Sequence, residues 1–496
     1  MKVKLAAAAL VAALLLGCTA QVTTTPQQQQ AEQTATTAPA TAVQETAQPV
    51  ETALPYPRFR SVPVHDPSVM RTADGTYYIY GSHMAAAKST DLIQWELISR
   101  DAGRGCTLVE NVQQQMQEAL SWAQTNTFWA PCVIELQDGR YYMYYCTCRG
   151  DSPLSALGLA VADSPEGPFE NKGIFLKSGM EGYDATYYPN VVDPHAFFDK
   201  EGRLWMVYGS YSGGIFILEM DQQTGFPLEG QEPYGKKLLG KNHSRIEAPY
   251  MVYSPETDYY YLFLSFGGLE AGDGYNIRVC RSKNPDGPFE DAKGQDMINC
   301  GGSDGSYFND PDYAGYGTKV MGSYVFHEAN DGWEGDTLLS PGHNSVYYDE
   351  QTGDYFLIFH TRFGHKWGYE VYVHRLFINE DGWFVCSPTR YAGETVQPVA
   401  AADRAGAYRL LCHELDINGQ PHESVYAALE ADGTVTGGYS GTWTAAEDGR
   451  FTITLGEDTY TGVMNLGYDE SQGEWVTVFT AMDKDGISLW GIRDHQ

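Results

Sequence analysis

A short pattern recurs through most of this chain: a turn containing acidic residues and usually Gly, followed at once by adjacent aromatic or large apolar residues. It occurs at Asp74-Gly75-Thr76-Tyr77-Tyr78, Asp138-Gly139-Arg140-Tyr141-Tyr142, Glu201-Gly202-Arg203-Leu204-Trp205, Glu256-Thr257-Asp258-Tyr259-Tyr260 and Thr352-Gly353-Asp354-Tyr355-Phe356. Each copy reads as a β-hairpin turn entering a second strand. After two of the hairpins a second signature stands at the same offset, Asp163-Ser164-Pro165-Glu166-Gly167-Pro168-Phe169 and Lys283-Asn284-Pro285-Asp286-Gly287-Pro288-Phe289. Ser89 to Trp95 plays a similar part in the first unit. All-β units repeated in this order predict a five-bladed β-propeller, in which radial repetition leaves only short protected edges. A meander or sandwich would not repeat the same order of turn, strand and turn.

Composition narrows the partners. The 64 Asp and Glu against 32 Lys and Arg argue against a polyanion such as nucleic acid or pectic acid. A neutral or cationic ligand fits better, although a surface exposed to salt would carry the same excess. The aromatic content of 13%, led by 35 Tyr, suits strands and also suits sugars, whose apolar faces stack on aromatic rings.

The first residues read as an export signal over 1–18: Lys2 and Lys4 precede an apolar run from Leu5 to Leu16, too short to span a bilayer as a mature helix. Leu15-Leu16-Gly17-Cys18 resembles a bacterial lipoprotein cleavage site, which predicts lipid attachment at Cys18 and tethering to the cell envelope. An ordinary secretory signal is the alternative. Residues 19–57, rich in Gln, Thr, Ala and Pro, hold almost no large apolar side chain and are expected to form a flexible tether. Eight further cysteines lie in a compartment that permits disulfides, and their pairing is not readable from sequence. Cys146 and Cys148 flank one residue of a predicted strand and so share a face, a poor arrangement for pairing with each other.

The propeller is assigned to 58–392. Between Thr107 and Ala123 the apolar residues Leu108, Val109, Val112, Met116, Ala119, Leu120 and Ala123 recur at helical spacing, predicting an amphipathic helix between blades. After about Gly393 short alternating strands separated by Asp-Gly turns predict a small antiparallel barrel or sandwich over 393–496. It carries no evident constellation of reactive groups, so a structural or substrate-handling accessory is expected.

Three carboxylates occupy comparable places in separate units: Asp66 in His65-Asp66-Pro67-Ser68-Val69, Asp193 in Val191-Val192-Asp193-Pro194-His195, and Glu247 in Ile246-Glu247-Ala248-Pro249-Tyr250. An Asp-Pro pair alone is usually a turn. Three acids at the starts of separate repeats point instead to a shared centre, and an isolated Glu between Ile and Ala is costly unless partnered or protonated. Inverting glycoside hydrolysis needs such a set: one ionised carboxylate to deprotonate water and one protonated acid to serve the leaving oxygen.

These motifs, with Trp129-Ala130-Pro131 and Pro341-Gly342-His343-Asn344-Ser345, resemble glycoside hydrolase family 43, the five-bladed propeller arabinanases and xylosidases. The likeness runs from about Ser61 to Ser387, and the trailing β domain makes the chain look most like the two-domain endo-α-1,5-L-arabinanases. The resemblance implies Asp66 as general base, Glu247 as general acid and Asp193 as the carboxylate that keeps the acid's pKa high. It places His343 beside a central cation, usually calcium, that is otherwise surrounded mostly by water. Without it a lone histidine would suggest no metal, since calcium prefers oxygen ligands. Trp129 and Phe128 are candidate stacking surfaces, with blade packing the alternative for Phe128, and Asn190 and Ser210 resemble sugar-binding residues. One departure is Cys132 after Pro131, where the family pattern has aspartate, which puts a local hydrogen bond of the second blade in doubt. The resemblance implies a monomer acting on neutral arabinan, with an exo-acting arabinofuranosidase, a β-xylosidase and a non-catalytic glycan-binding propeller as the alternatives.

Overall fold

The computed structural model describes residues 54–103, 105–327 and 337–494. The predicted export signal, Cys18 and nearly all of the tether lie outside these residues. Five antiparallel sheets follow one another along the chain. Blade 1 consists of Ser68–Arg71, Tyr77–Gly81, Ala85–Ser89 and Glu96–Ser99. Blade 2 consists of Trp129–Glu135, Tyr141–Cys148, Ser155–Ala162 and Glu170–Lys177. His195–Phe198, Leu204–Tyr208, Ile215–Met220 and Lys236–Leu239 form blade 3; Ile246–Ser254, Tyr259–Phe266, Asn276–Ser282 and Thr318–Met321 form blade 4. Blade 5 is Leu338–Asp349, Asp354–Phe363, Tyr369–Ile378 and Phe384–Arg390, extended at its inner edge by Tyr324–Val325.

The first strand of each four-stranded set lies innermost, and each contacts the next around a ring that closes where Leu338–Asp349 meets Ser68–Arg71. Residues 60–62 join the two end blades, since Trp95 N donates to Arg60 O (2.9 Å) and Val371 N donates to Val62 O (3.1 Å). The predicted hairpin turns are where the repeats place them. In the fourth repeat, which has no Gly, Asp258 takes the left-handed conformation itself (φ 55°).

The strands are apolar on both faces because each blade packs against two neighbours. Core clusters accordingly lie between consecutive blades, such as Tyr80, Val133 and Met143 between blades 1 and 2, or Tyr144, Ala196 and Met206 between blades 2 and 3. This geometry explains the tyrosine usage. The ring fills the space between sheets while the hydroxyl reaches a backbone acceptor at the edge, as Tyr144 does at Gly225 O and Tyr208 at Tyr234 O, both 2.8 Å.

The predicted helix is present but shorter and broken, as Val112–Gln115 and Gln117–Ala123. Its break falls at Met116 (φ −103°), and Thr107–Asn111 is not helical. The apolar stripe read from the sequence is nonetheless buried throughout, from Leu108 to Ala123. Burial of Leu108 and Val109 comes from the approach chain rather than from a helix.

The C-terminal strands close into an eight-stranded antiparallel barrel. Its first strand, Gly406–His413, pairs with its last, Ser488–Arg493. The intervening strands are Val425–Leu429, Thr434–Gly437, Gly441–Ala445, Arg450–Leu455, Asp458–Asp469 and Glu474–Asp483. Strand His422–Glu423, in the connection after the first barrel strand, pairs in parallel with Tyr324–Val325 of blade 5. All eight cysteines of the described residues are free, and Cys146 and Cys148 lie in one core cluster on one face of their strand.

Candidate active site

At the starts of the inner strands the chain repeats a device. A proline follows the turning residue in every blade: Asp66-Pro67, Ala130-Pro131, Asp193-Pro194, Ala248-Pro249 and Ser340-Pro341. In four of the five the residue before proline is left-handed, Asp66 at φ 58°, Asp193 at 55°, Ala248 at 54° and Ser340 at 50°. Proline brings no N–H to the ladder, so pairing lapses here, and the register shifts between Glu247 and Tyr250 and again around Gly342. The bulged backbone re-aims side chains toward the axis. The cost of four such non-glycine conformations, of order 1–3 kcal/mol each, marks a functional region rather than a packing one.

The device brings the three predicted carboxylates together. Asp66, Asp193 and Glu247 line one cavity of about 340 Å³ with His343, Trp129 and Arg362. All three acids are buried, at 8%, 5% and 7% exposure, so their surroundings decide their charge.

Asp66 is surrounded by donors. Its Oδ1 lies 2.8 Å from His65 Nδ1 and 3.2 Å from His343 Nδ1, and its Oδ2 accepts from Ser82 Oγ. Its own N–H donates to His360 Nδ1 (3.2 Å), and the His360 ring is stacked on His65 at 4.0 Å. Burial by itself would raise the Asp66 pKa, but the imidazoles, led by His343 and His65, hold it well below the usual carboxylate range. Burial also lowers the pKa of His343 and His360. At neutral pH those rings are neutral, and His343 acts on Asp66 as a hydrogen-bond donor.

Glu247 is set the opposite way. Burial pushes its pKa up to about 7, against hydrogen bonds from Tyr275 Oη to Oε1 (2.6 Å) and Ser210 Oγ to Oε2 (2.8 Å), and with a further rise from the charge of Asp66. Asp193 is raised by burial and then by Glu247 and Asp66. Its Oδ2 accepts the Ala248 N–H at 3.2 Å, which fixes the backbone just beyond Glu247. The site therefore holds one ionised carboxylate and, facing it, a pair that retains a proton above the ordinary carboxyl range.

The other predicted residues fall in different places. Trp129 and His343 line the cavity. Phe128 does not offer a stacking face: its ring is fully buried in the core between blades 1 and 2, edge-on to Tyr145, and its carbonyl accepts from His83 N at 2.8 Å. Asn190 is buried where blades 2 and 3 meet and accepts from Ser155 Oγ at 2.6 Å, and Ser210 is spent on Glu247. Cys132 Sγ, at the position of the family's aspartate, accepts from Ala196 N of blade 3 at 3.5 Å. Tyr275 and His360 were not read from the sequence. Neither sits in one of the repeated motifs, although Gly342 marks Tyr275 indirectly: a Cβ there would lie 2.1 Å from the Tyr275 ring.

For a cation, the donor atoms of Asp193, Glu247 and His343 lie within 4.8 Å of one another, as do those of His65, Asp66 and His360. The first set, two carboxylates and one imidazole, suits an oxygen-preferring ion with water completing its shell. The second, with two imidazoles, suits it less.

Comparison with known proteins follows the same division of the chain. Residues 60–335 match the model of glycosyl hydrolases family 43, and residues 388–491 match a C-terminal lipocalin-like domain. The chain is 53% identical over 445 residues to extracellular endo-α-(1→5)-L-arabinanase 2 of Bacillus subtilis strain 168, covering 88% of this chain and 94% of that protein. It is 47% identical to the extracellular endo-α-(1→5)-L-arabinanase of Thermotoga petrophila, over 88% of this chain and 95% of the other. Among solved structures, a family 43 glycoside hydrolase from Bacillus licheniformis superposes with a TM-score of 0.86 at 51% identity, covering 89% of this chain and all of its own. The Thermotoga petrophila endo-1,5-α-L-arabinanase superposes with a TM-score of 0.84 at 46% identity, over 88% of this chain and all of that one.

Proposed function

The chain belongs to family 43 of the glycosyl hydrolases, and from that premise we propose that it is an exported, inverting endo-arabinanase cleaving internal α-1,5-L-arabinofuranosidic bonds of arabinan. The observation that carries the mechanism is the opposed charge of the carboxylates, Asp66 held ionised and Glu247 held protonated in one cavity. Relatives named as extracellular endo-arabinanases support both the substrate and export.

In this reading Asp66 takes a proton from a water molecule as that water attacks the anomeric carbon. Glu247 gives its proton to the departing glycosidic oxygen as the carbon–oxygen bond breaks. The new hydroxyl arrives on the face opposite the leaving group, so the configuration inverts. Tyr275, Ser210 and Asp193 orient Glu247, and the burial they share keeps its proton in place near neutral pH. Trp129 offers a stacking face for the sugar.

We propose that His343 would hold a calcium ion whose remaining shell is mostly water, with Asp193 and Glu247 nearby but Glu247 keeping its proton. When bound it supplies positive charge beside the carboxylates. Calorimetric titration of calcium into protein freed of metal tests this: one site should appear and be lost in His343→Ala. Cys18 is read as the lipid attachment point, and Cys18→Ala should move the protein from the membrane fraction to the medium.

The experiment for the function is digestion of linear arabinan, with product sizes and the anomeric form of the first product followed by NMR. A ladder of oligosaccharides with inverted anomers is expected. Arabinose alone would turn the reading to an exo enzyme, and a retained anomer would overturn the mechanism. Glu247→Gln should lose roughly 10²–10⁴-fold in kcat while still binding the polymer.

A further inference from the structure

The cavity of about 340 Å³ takes the sugars at the scissile bond and a polymer extends beyond it; two exposed aromatic rings stand on segments tied to the cavity's lining. Trp367 is 99% exposed. It lies in the hairpin loop of blade 5 closed by the facing pair Arg362 and Tyr369, and both members of that pair line the cavity. The hairpin is braced. Lys366 Nζ sits 3.9 Å over the Phe363 ring and bonds Glu370 Oε1 at 2.7 Å, while Tyr369 packs edge-on against His65 at 4.7 Å. A tryptophan this exposed contributes almost nothing to folding, because an indole stabilises the fold through the large area it buries.

The second ring is Tyr307, 67% exposed. His243 and Phe308 support it at ring distances of 5.0 and 4.2 Å. His243 is fixed through Nδ1 to Ser212 Oγ (3.0 Å), two residues beyond Ser210, whose hydroxyl holds Glu247. Trp367 thus belongs to the side of the site that carries Asp66 and its histidines. Tyr307 belongs to the side that carries Glu247.

We propose that Trp367 and Tyr307 are distal sugar platforms, each stacking on a pentofuranosyl unit beyond those at the scissile bond, so that the polymer is held on both sides of the cleavage point. The inference rests on the reading of the substrate as a neutral arabinan chain. Such a chain offers a protein of net charge −32 no ionic handle. Affinity for its outlying units has to come from apolar ring faces on aromatic surfaces and from hydroxyl hydrogen bonds.

The test compares Trp367→Ala and Tyr307→Ala with the unmodified full chain on linear arabinan and on arabinotriose, which supplies no outlying units. Each variant should raise KM for the polymer by roughly 2- to 12-fold, the range an aromatic stacking contact supplies. Values on arabinotriose and the melting temperature should stay unchanged, and Trp367→Phe should restore most of the loss. Unchanged polymer KM, or an equal loss on both substrates, overturns the platforms while leaving the enzyme reading intact. An unmodified protein that leaves arabinan uncut overturns the reading and the platforms together.

Discussion

At Glu247 opposing influences meet within one carboxyl group, and their balance sets the working pH. Burial and the charge of Asp66 favour the protonated form, while the hydroxyls of Tyr275 and Ser210 favour the ionised one. An acid that must carry its proton is active below its pKa, so kcat should fall as pH rises through about 7. Removing a donor that stabilises the carboxylate raises that pKa. Tyr275→Phe is therefore expected to move the alkaline limb of the kcat profile to higher pH, and Ser210→Ala to move it the same way. A limb that stays or moves down in Tyr275→Phe would show that the hydroxyl does not act on Glu247. Stability follows the same sign. With its folded pKa above the ordinary carboxyl value, Glu247 costs nothing below about pH 4 and progressively more as pH rises toward about 7. Glu247→Gln should consequently raise the melting temperature at pH 8 and leave it unchanged at pH 4.

Glu247 and His343 are aimed by bulged inner strands, Asp66 and Asp193 by left-handed turns just before theirs, and this divides what the sequence shows from what it hides. Turn-and-aromatic repeats announced the blades because hairpin chemistry is local, and the three acids stood out because they recur at the starts of repeats. The left-handed residue before four of the five prolines was hidden, since a pre-proline Asp, Ala or Ser ordinarily favours extended backbone. So were the partners that reach the acids from a distance: Tyr275 acts on Glu247 from just before the third strand of the same blade, and His360 meets Asp66 from 294 residues away. Of the two readings left open for Phe128, blade packing holds, a choice that sequence pattern alone could not make because both positions call for an aromatic ring. Helical spacing likewise located the apolar stripe of 108–123 but not the break at Met116. Gly342 joins the two levels. Its missing side chain admits the Tyr275 ring, and Gly342→Ala would drive a methyl into that ring. Overpacking of this kind costs about 1–3 kcal/mol, and the displaced Tyr275 would release Glu247. Gly342→Ala should lower the melting temperature and shift the alkaline limb in the same direction as Tyr275→Phe, whereas a stability loss with an unchanged pH profile would separate the glycine from the acid.

Across the whole molecule, propeller and barrel share a buried charge. Lys319, on the outer strand of blade 4, is 2% exposed, and its Nζ donates to Asp416 Oδ1 at 2.6 Å and to Glu414 O at 2.7 Å in the connection after the first barrel strand. Arg278 of the same blade donates to Asp416 O at 2.8 Å, and Ser488 of the last barrel strand donates to Lys319 O at 2.7 Å. Burial lowers the Lys319 pKa to about 8 even with Asp416 beside it. Taking the carboxylate away leaves an uncompensated buried ammonium, and because Asp416 is 29% exposed the cost should lie near the lower end of the usual range, about 3 kcal/mol. The sign of its pH dependence follows from the lysine. A cation whose folded pKa is depressed carries its burial cost in full below that pKa and sheds it as the proton leaves. Asp416→Asn, which keeps the shape and removes the charge, should therefore be destabilised most at pH 6 and regain much of the loss by pH 9.5 in urea unfolding. An equal deficit at both pH values would mean that the junction is held by its backbone hydrogen bonds and the parallel pairing of His422–Glu423 with Tyr324–Val325 rather than by the ion pair.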